Sequence, residues 1–476
     1  MRVCIVDPKG IHMGFNTGIG YLVAYLRSNF DASEVKVFDF NNNGRDIDER
    51  LREISGFDII GFSMKSFTRE SALKMARKVK TDKNILIAGG PHITLDGVNF
   101  LKDNPIFDYG VSGEGELTLH KLLLAIKANK ENPDLAGIKG LVYRLSADVI
   151  STGKSERGQA LDTLPYPDYT AFDSLEDGRI LNYPLVTSRG CPYLCTYCCV
   201  KDVMGKQWFA RSVEDIITEL IQAKKTYGFE SFNIQDDNFS LDVKRAKAFC
   251  DAMIERGLDM TWSCPNGIRA DKLDDELMAK MHTAGCFAVA MGIESGVEGE
   301  FNAIKKGEKL SDIVTAVKLA KKNNIWVFGN FIIGLPHSNL KSIYASVKFA
   351  KELKLESCIF NLIVPFPGTE LWGWANENGR FLMDWKDGFT QGKSPKIVFE
   401  TDEFSRADRI KAYWKANIKC NNYFACMDEH DSLASNIINV WKKILRYDPW
   451  GTPVHLLWCL KHFTRIITRI KSSKNA

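Results

Sequence analysis

Three cysteines with short, unequal spacing carry the strongest chemical signal in the chain. Cys191, Cys195 and Cys198 are separated by three and then by two residues, in a segment that follows an apolar strand pattern and reads SRGCPYLCTYCC. Three thiolates in one loop can surround one face of a metal cluster, and iron–sulfur clusters are bound by cysteine thiolates. With only three protein ligands, one iron of the cluster stays open to a small molecule.

A structural zinc site is the alternative for the same residues. Such a site needs four closed ligands, which usually come as two Cys-x2-Cys pairs. The chain has no second pair, and Cys199, which stands next to Cys198, is interpreted as a packing residue. We therefore favour an iron–sulfur cluster over zinc.

The composition limits the class of protein. Hydrophobic residues make up 45% of the 476 residues and charged residues 26%, as in an ordinary globular protein. The net charge of +4, without a basic run, gives no support for a nucleic-acid partner. The N-terminus enters a strand pattern at once, which predicts no signal peptide, and no stretch approaches the roughly 18 apolar residues of a spanning helix. Twelve cysteines without a secretory signal indicate a reducing, cytoplasmic location.

Strand and helix patterns alternate through the N-terminal third of the chain. In residues 1–145, short apolar runs alternate with amphipathic stretches, which predicts an α/β domain with a doubly wound parallel sheet. Such a sheet binds ligands at the carboxyl ends of its strands. Residues 146–182 are predicted to form a linker or a small hairpin, because a Pro-containing polar stretch cannot continue a helix.

The same alternation returns at a longer period over residues 183–382. Six strand–helix units predict a partial (β/α)6 barrel with its chemistry at the carboxyl ends of the strands. A charged run within it, Lys305 to Lys309, is interpreted as a solvated face.

Residues 383–476 are predicted to form a mostly helical cap with a basic amphipathic tail. In that tail Lys461, Arg465 and Arg469 recur every four residues and so share one helical face. Docking of the tail on the barrel is favoured over contact with an anionic membrane surface.

The cysteine motif and the polar residues after the predicted strands resemble the radical S-adenosylmethionine (SAM) superfamily over residues 183–382. The resemblance implies a 4Fe-4S cluster on Cys191, Cys195 and Cys198, with SAM at the open iron. An arginine can hold the SAM carboxylate with a paired fork, and carboxylates can accept hydrogen bonds from its ammonium and ribose groups. The SAM contacts that the resemblance implies are Tyr197, Asp236, Asp237, Arg269, Glu294, Ser295 and Ile333.

Residues 1–145 resemble the cobalamin-binding domain that precedes the barrel in one subgroup of that superfamily. Glycines at strand ends let the backbone approach a large flat ligand and offer N–H groups to it. The cobalamin contacts that the resemblance implies are Gly20, Ser63, Gly89, Gly90, His92, Gly113, Glu114, Gly115 and Glu116.

One departure from related cobalamin domains concerns the lower axial ligand. The Asp-x-His-x-x-Gly motif of cobalamin mutases is absent, since the single Asp-x-His is Asp428-Glu429-His430 and lacks the glycine. The resemblance then implies cobalamin bound base-off, with its nucleotide tail in the sheet. A degenerate domain without a cofactor is the alternative, because a fold alone does not fix a function.

Together the two resemblances imply an enzyme similar to the class B radical SAM methyltransferases. Cleavage of SAM would give a 5′-deoxyadenosyl radical that abstracts hydrogen from an unactivated carbon of a small-molecule or lipid-like substrate, and cobalamin would supply the methyl group. An electron donor such as flavodoxin or ferredoxin is implied, and no catalytic residue is assigned beyond the cofactor ligands. Two other functions stay open: a radical SAM cyclase or ring-rearranging enzyme without methyl transfer, and a non-catalytic cobalamin sensor or carrier.

Overall fold

The computed structural model of the chain describes residues 1–10, 14–42, 45–156, 160–175, 177–389, 395–427, 431–452 and 455–456. The chain divides into two compact units. Unit 1 contains Met1–Gly190 and Asp202–Phe232, and unit 2 contains Cys191–Lys201 and Asn233–Ala476. The predicted basic face of the tail and the Asp428-Glu429-His430 segment lie outside the described residues.

A seven-stranded sheet forms the centre of unit 1. Its strands are β1 (Arg2–Asp7), β2 (Glu34–Asp39), β3 (Ile59–Ser63), β4 (Ile85–Gly89), β5 (Tyr109–Val111), β6 (Leu141–Leu145) and β7 (Asp148–Ser151). Their order is β2-β1-β3-β4-β5-β6-β7, with parallel pairs among the first five and antiparallel pairs at β5-β6 and β6-β7. The parallel strands follow the 2-1-3-4-5 order of doubly wound folds, whose ligands bind at the carboxyl ends of the strands.

Helices cover both faces of this sheet, as the buried central strands β1, β3 and β4 require. Successive residues of β1 point to opposite faces: Val3 packs in one core with Leu26 and Leu122, and Cys4 packs in the other core with Leu73. The helices are α1 (Thr17–Asn29), α2 (Ile47–Ser55), α3 (Arg69–Val79), α4 (Pro91–Asp103) and α5 (Gly115–Ala128).

Two of these helices, α2 and α4, were not predicted from the sequence. Helix α4 begins with Pro91 and has a non-helical backbone at Asp96. It also contains Gly97, whose backbone packs closely against the side chains of Ile93 and Val142. Glycine and proline are weak helix formers, so packing against the sheet decides the conformation here. Helix α2 is short and highly charged, and its propensity alone is a weak signal.

The segment 146–182, predicted as a linker or small hairpin, packs extensively within unit 1. Strand β7 extends the sheet beyond residue 145, and Tyr169 and Phe172 are buried. The carboxylate of Asp173 accepts two hydrogen bonds from Arg50 of α2, at 2.8 and 2.9 Å, and both side chains are almost fully buried. The predicted domain boundaries stay predictions.

A second, six-stranded sheet has the order β15-β14-β13-β12-β11-β8. The neighbouring pairs from β12 to β15 are parallel. Strand β8 lies in unit 1, and the boundary between the units falls within β11. The strands of this part of the chain are β8 (Asn182–Leu185), β9 (Ser188–Arg189), β10 (Phe209–Ala210), β11 (Ser231–Ile234), β12 (Thr261–Cys264), β13 (Cys286–Glu294), β14 (Trp326–Ile333), β15 (Ser357–Leu362), β16 (Arg380–Phe381) and β17 (Phe399–Glu400).

Helices connect the parallel strands of the second sheet. For example, α7 begins after Ser212, whose hydroxyl caps the helix by accepting a hydrogen bond from the Asp215 N–H, and it ends at Gly228 in the left-handed conformation. The helices are α6 (Val200–Val203), α7 (Val213–Tyr227), α8 (Val243–Glu255), α9 (Asp275–Thr283), α10 (Glu298–Ala303), α11 (Leu310–Lys322), α12 (Leu340–Glu352), α13 (Glu370–Asn378), α14 (Arg406–Lys419) and α15 (Leu433–Tyr447).

The alternation of strands and helices confirms the predicted α/β class, with one sheet of mostly parallel strands in each half of the chain and helices after β17. Among the described helices, none combines the length and the apolar character that crossing a membrane requires.

Candidate cofactor-binding sites

The three-cysteine loop is held in place by backbone hydrogen bonds within unit 2. The N–H of Thr196 donates to the carbonyl of Ile304 at 3.0 Å, and the carbonyl of Thr196 accepts from the N–H of Leu371 at 2.9 Å. A further bond from the Cys198 N–H to the Cys195 carbonyl, at 3.1 Å, closes a turn between two of the predicted ligands. The loop is thereby fixed from two sides, although it has no regular secondary structure.

The thiols of Cys191, Cys195 and Cys198 are partly buried and lie close enough to influence one another. Burial, as the largest cause, raises the pKa of Cys195 and of Cys198 to about 12, and it also raises the pKa of Cys191. Such thiols are protonated at neutral pH unless a cation stabilises their thiolates, and binding of iron would release the protons.

The donor set fits a cluster better than a single metal ion. Within the described part of the chain, no three His, Cys, Asp or Glu side chains converge on one ion site. A cubane cluster takes one thiolate at each of several iron atoms, so its ligands stand farther apart than the ligands of one ion. Three cysteines on one ordered loop, with sulfur as the only donor, match that requirement.

Arg269, which follows β12, lies beside the same loop. Its guanidinium stacks over the ring of Tyr193 at 3.4 Å, its Nε donates to Asp271 at 2.9 Å, and its Nη1 donates to the carbonyl of Lys306 at 2.8 Å. Its Nη2 is buried and has no hydrogen-bond partner among the described residues. The Nη2 group of Arg269, which was predicted to contact SAM, is therefore available to a ligand.

Glu294 ends β13 in a left-handed backbone conformation, with φ at +63°. The hydroxyl of Tyr197 donates a hydrogen bond to its carboxylate at 2.8 Å, and the ammonium of Lys306 lies 3.4 Å from the same oxygen. Lys306 also pairs with Glu308 at 3.1 Å. Tyr197 and Glu294, both predicted to contact SAM, thus belong to one buried polar network.

Lys306 and Glu308 were missed, because the run from Lys305 to Lys309 was interpreted as a solvated face. That interpretation is wrong for these two residues, which are 8% and 7% exposed, whereas Lys305 and Lys309 are exposed. Every second residue of the run turns inward, starting with Ile304. This alternation is visible only in the structure, because Lys305 and Lys306 are the same residue type in the sequence.

Asp236 and Asp237, the two acidic residues after β11, lie in different environments. The carboxylate of Asp236 is 2% exposed and lies 3.8 Å from Arg245, whereas Asp237 is exposed and raises the pKa of Cys191 and Cys198 by its charge. Asp237 therefore lies near the three-cysteine loop.

Asn238, the next residue, was not among the predicted contacts. Its side chain is 1% exposed, and neither amide atom makes a hydrogen bond of good geometry within the described residues. It lies beside the Cys191 thiol, whose pKa it lowers. Buried polar groups are normally satisfied. The orphaned Nη2 of Arg269 therefore fits a polar ligand such as SAM beside the three-cysteine loop, and the buried amide of Asn238 adds polar atoms near Cys191.

The last two predicted SAM contacts differ in availability. The hydroxyl of Ser295 donates to Glu300 at 2.7 Å and lies 3.3 Å from the hydroxyl of Ser346, so protein partners already engage it. Ile333 is fully buried at the end of β14.

Most predicted cobalamin contacts lie at the carboxyl ends of three adjacent strands of unit 1. Ser63 ends β3, Gly89 ends β4, and the segment Gly113–Glu116 follows β5. A side chain on Gly90 would meet the backbone of Met64 at 2.7 Å, so glycine is required there by the protein itself. A Cβ on Gly89 would meet nothing closer than 3.9 Å, which leaves an open strand end. This edge fits a flat ligand.

His92 is fully buried and does not face solvent. Its Nδ1 lies 3.1 Å from the hydroxyl of Ser66, and its ring meets Phe100 edge-on. His92 is therefore part of the packed interior of unit 1.

Four other predicted contacts have partners within unit 1. Glu116 accepts a hydrogen bond from Arg189 at 2.9 Å, and Glu114 lies 3.7 Å from the same guanidinium. A Cβ on Gly20 would lie 2.8 Å from the ring of Tyr169, so this glycine permits close packing of α1. A Cβ on Gly115 would come within 3.3 Å of the side chain of Leu22, which is closer than an ordinary contact.

Two sequence families match the chain in the regions that the residues indicated. The B12 binding domain family matches residues 12–123, and the Radical SAM superfamily matches residues 185–350. An uncharacterized methyltransferase of Pyrococcus horikoshii is 31% identical over 404 residues, which cover 83% of this chain and 86% of that protein.

Two further relatives differ in the reaction that their names state. Cytidylyl-2-hydroxyethylphosphonate methyltransferase of Streptomyces wedmorensis is 28% identical and covers 74% of this chain and 76% of its own length. Anaerobic magnesium-protoporphyrin IX monomethyl ester cyclase of Rubrivivax gelatinosus is 23% identical and covers 78% and 69%.

A solved structure shares the fold. The radical SAM methyltransferase TsrM of Kitasatospora setae, with cobalamin and a [4Fe-4S] cluster bound, has a TM-score of 0.70, with 16% identity over 95% of this chain and 90% of TsrM. The cofactors of the chain are accordingly a 4Fe-4S cluster, SAM and cobalamin. The chain belongs to the radical SAM superfamily, in the group whose members also carry a B12-binding domain.

Proposed function

We propose that this radical SAM enzyme is a C-methyltransferase that acts on an unactivated carbon of a small-molecule or lipid-like substrate. The observation that carries the proposal is the presence, in one chain, of the three-cysteine loop and a B12-binding domain. The relatives that are 31% and 28% identical to this chain are both named methyltransferases, which supports this assignment.

The bound cofactors would supply reductive cleavage of SAM to a 5′-deoxyadenosyl radical and a methyl group for transfer. The protein would supply position: Cys191, Cys195 and Cys198 would hold the cluster, while Arg269 and Glu294 would orient SAM by its carboxylate and ribose. The edge formed by Ser63, Gly89 and the 113–116 segment would hold cobalamin. A small electron-transfer protein such as flavodoxin or ferredoxin would reduce the cluster. The hard chemistry belongs to the cofactors.

The test uses anaerobically purified protein reconstituted with iron, sulfide and cobalamin, then supplied with a strong reductant and SAM carrying a deuterated methyl group. The first candidate substrate is cytidylyl-2-hydroxyethylphosphonate, because a relative is named for it. A methyltransferase would form S-adenosylhomocysteine and 5′-deoxyadenosine only when cobalamin is present, and mass spectrometry would find the label in the product. A Cys195→Ala variant is the control, since it should form no 5′-deoxyadenosine.

A cyclase or ring-rearranging activity is the second candidate, favoured by the likeness to the magnesium-protoporphyrin cyclase. Such an enzyme would form 5′-deoxyadenosine without S-adenosylhomocysteine and without label in the product. A cobalamin sensor or carrier, the third candidate, would bind cobalamin equally well in the Cys195→Ala variant and would form neither nucleoside. Methyl transfer is contradicted by either pattern.

A peripheral membrane contact through the tail would suit a lipid-like substrate. The tail residues that motivate this idea lie outside the described part of the chain. Co-sedimentation with anionic vesicles, compared with a variant in which Lys461, Arg465 and Arg469 are changed to glutamine, would test it.

A further inference from the structure

Arg409 lies in the first half of α14, the helix that covers the edge strand β15. The side chain of Asn417 fixes that helix, because its Oδ1 accepts from the N–H of Phe360 at 3.1 Å and its Nδ2 donates to the Phe360 carbonyl at 3.0 Å. The side-chain amide of Asn417 thus makes the two hydrogen bonds that a neighbouring strand would otherwise make with this residue of β15. Arg409 stands eight residues before Asn417, which is roughly 12 Å along a helix.

This distance brings Arg409 to the carboxyl ends of β14 and β15. Gly334 follows β14 directly, with φ at +105°, and Ile363 follows β15. A Cβ on Gly334 would overlap Nη1 of Arg409 and would meet Ile363 at 2.9 Å. The guanidinium therefore lies directly on the backbone of Gly334, at the sheet edge where parallel α/β folds bind their ligands.

The guanidinium is almost completely buried and has few partners. Arg409 is 2% exposed, its Nε donates to the carbonyl of Phe404 at 3.1 Å, and its charge lies 4.2 Å from the ring of Phe399 and 5.0 Å from that of Phe404. No carboxylate of the described residues comes within ion-pair distance of it. Glu400, whose charge acts on it most, pairs with Arg380 and accepts a hydrogen bond from the Arg406 N–H at 2.8 Å.

Other buried cations in the described residues differ from Arg409 in this respect. Each of them forms an ion pair with at least one carboxylate: Arg50 with Asp173, Arg211 with Asp215 and Glu219, Arg269 with Asp271, and Lys306 with Glu294 and Glu308. Burying a charge without an opposite charge is costly, and desolvation lowers the pKa of Arg409 to about 10. The missing counter-charge is thus a feature of this position that packing alone does not explain.

We propose that Arg409 binds an oxyanion of the substrate, a carboxylate or a phosphate group, at the carboxyl ends of β14 and β15. A guanidinium offers two parallel N–H donors that match the geometry of both groups, and the contact strengthens in a buried site. The inference rests on the proposed function in one respect, namely that the anion belongs to the methyl acceptor. It adds that this acceptor is an acidic molecule.

The experiment measures binding without turnover, on the reconstituted holoenzyme. Inorganic phosphate and sodium acetate, as probes of the two anion types, are titrated at constant ionic strength while differential scanning calorimetry records the Tm. Arg409→Gln is compared with Arg406→Gln, which removes an exposed arginine one turn earlier in the same helix. The affinity of each variant for SAM is measured in parallel by calorimetric titration.

We expect at least one anion to raise the Tm of the wild-type protein and of Arg406→Gln. In Arg409→Gln the apparent Kd for that anion should rise by at least about tenfold, while the Kd for SAM stays unchanged. Equal responses in the three proteins would overturn the proposal. So would a loss of SAM affinity in Arg409→Gln, because the partner would then be the SAM carboxylate.

A second variant covers the case in which Arg409→Gln does not fold. Arg409→Lys keeps the charge but loses the paired fork, so its apparent Kd for the anion should rise by about threefold or more. An unchanged anion response in Arg409→Lys would overturn the forked contact. Because no catalysis is involved, a negative result here leaves methyl transfer standing, and a negative methyl-transfer assay leaves the anion measurement valid.

Discussion

The hydroxyl of Tyr197 donates a hydrogen bond of 2.8 Å to the carboxylate of Glu294, although the two residues are far apart in the sequence. Tyr197 belongs to the three-cysteine loop, and Glu294 ends β13. Burial, and then the charge of Glu294, raises the pKa of the phenol, so the hydroxyl stays protonated and remains a donor. One hydrogen bond therefore joins the loop predicted to hold the cluster to a residue proposed to hold the ribose of SAM.

Replacing Tyr197 by phenylalanine should weaken SAM binding without removing the cluster. The ring remains, but Glu294 loses its neutral donor and is less well oriented, so the Kd for SAM should rise by about three- to tenfold. Calorimetric titration of the reconstituted protein measures this Kd, and iron analysis reports the cluster. Tyr193→Phe is the matched control, because it keeps the ring on which Arg269 stacks. Equal Kd values in both variants would argue against a positioning role for the Tyr197 hydroxyl.

Lys306 should be important for stability, in contrast to its neighbour Lys305. Lys306→Met leaves the carboxylates of Glu294 and Glu308 buried without their cation, which should lower the free energy of unfolding by about 3 kcal/mol. Lys305 pairs with Glu370 in solvent, so Lys305→Met should cost at most about 0.5 kcal/mol. Urea denaturation of the two variants tests the difference. Similar midpoints would show that the buried network contributes little.

The buried network also shows where prediction from the sequence ends. The cysteine ligands could be predicted because their spacing is local, and the strands were found because their apolar runs are continuous. Lys306 contacts Glu294 and Glu308 through a loop whose inward-facing positions depend on the fold, so its charge alone predicted solvent exposure. Residue type indicates chemistry, whereas burial decides which of several lysines takes part in it.

Glycines illustrate the same limit in unit 1. Gly20, Gly89 and Gly90 were all predicted to approach cobalamin, yet each has a different local reason to be glycine. Gly20 makes room for Tyr169, Gly90 makes room for the backbone of Met64, and of the three only Gly89 would admit a Cβ without a close contact. A sequence pattern cannot separate these cases, because the contacting residue is distant along the chain.

The assignment of three rather than four cysteine ligands can be tested directly. Cys195→Ala should lower the iron bound after reconstitution to about a tenth of the wild-type amount and abolish the visible absorption of the cluster. Cys199→Ala should retain both, since Cys199 was interpreted as a packing residue. Iron analysis and the visible spectrum are the measurements. Loss of iron in Cys199→Ala would instead indicate a fourth thiolate ligand and would revive a closed metal site.

From the buried carboxyl group of Asp7 we predict that the stability of unit 1 depends on pH. Its carboxyl group, at the end of β1, is 6% exposed, and burial followed by the charge of Asp39 raises its pKa to about 7. In the unfolded chain the pKa is about 4. Between about pH 4 and pH 7 the folded protein holds a proton that the unfolded chain releases, so stability is highest below this window and falls as the pH rises through it.

Asp7→Asn should remove this loss, because the amide imitates the protonated acid. At pH 8 the variant should be more stable than the wild type by about 4 kcal/mol, and at pH 5 this difference should shrink to about 1.5 kcal/mol. Urea denaturation of the cobalamin-free proteins at the two pH values measures it. Asp82→Asn, at an exposed turn position, is the control and should follow the wild type at both. If Asp7→Asn instead destabilised the protein equally at pH 5 and pH 8, the carboxyl group would be ionised throughout, and its hydrogen bond from Asn16 would outweigh its burial.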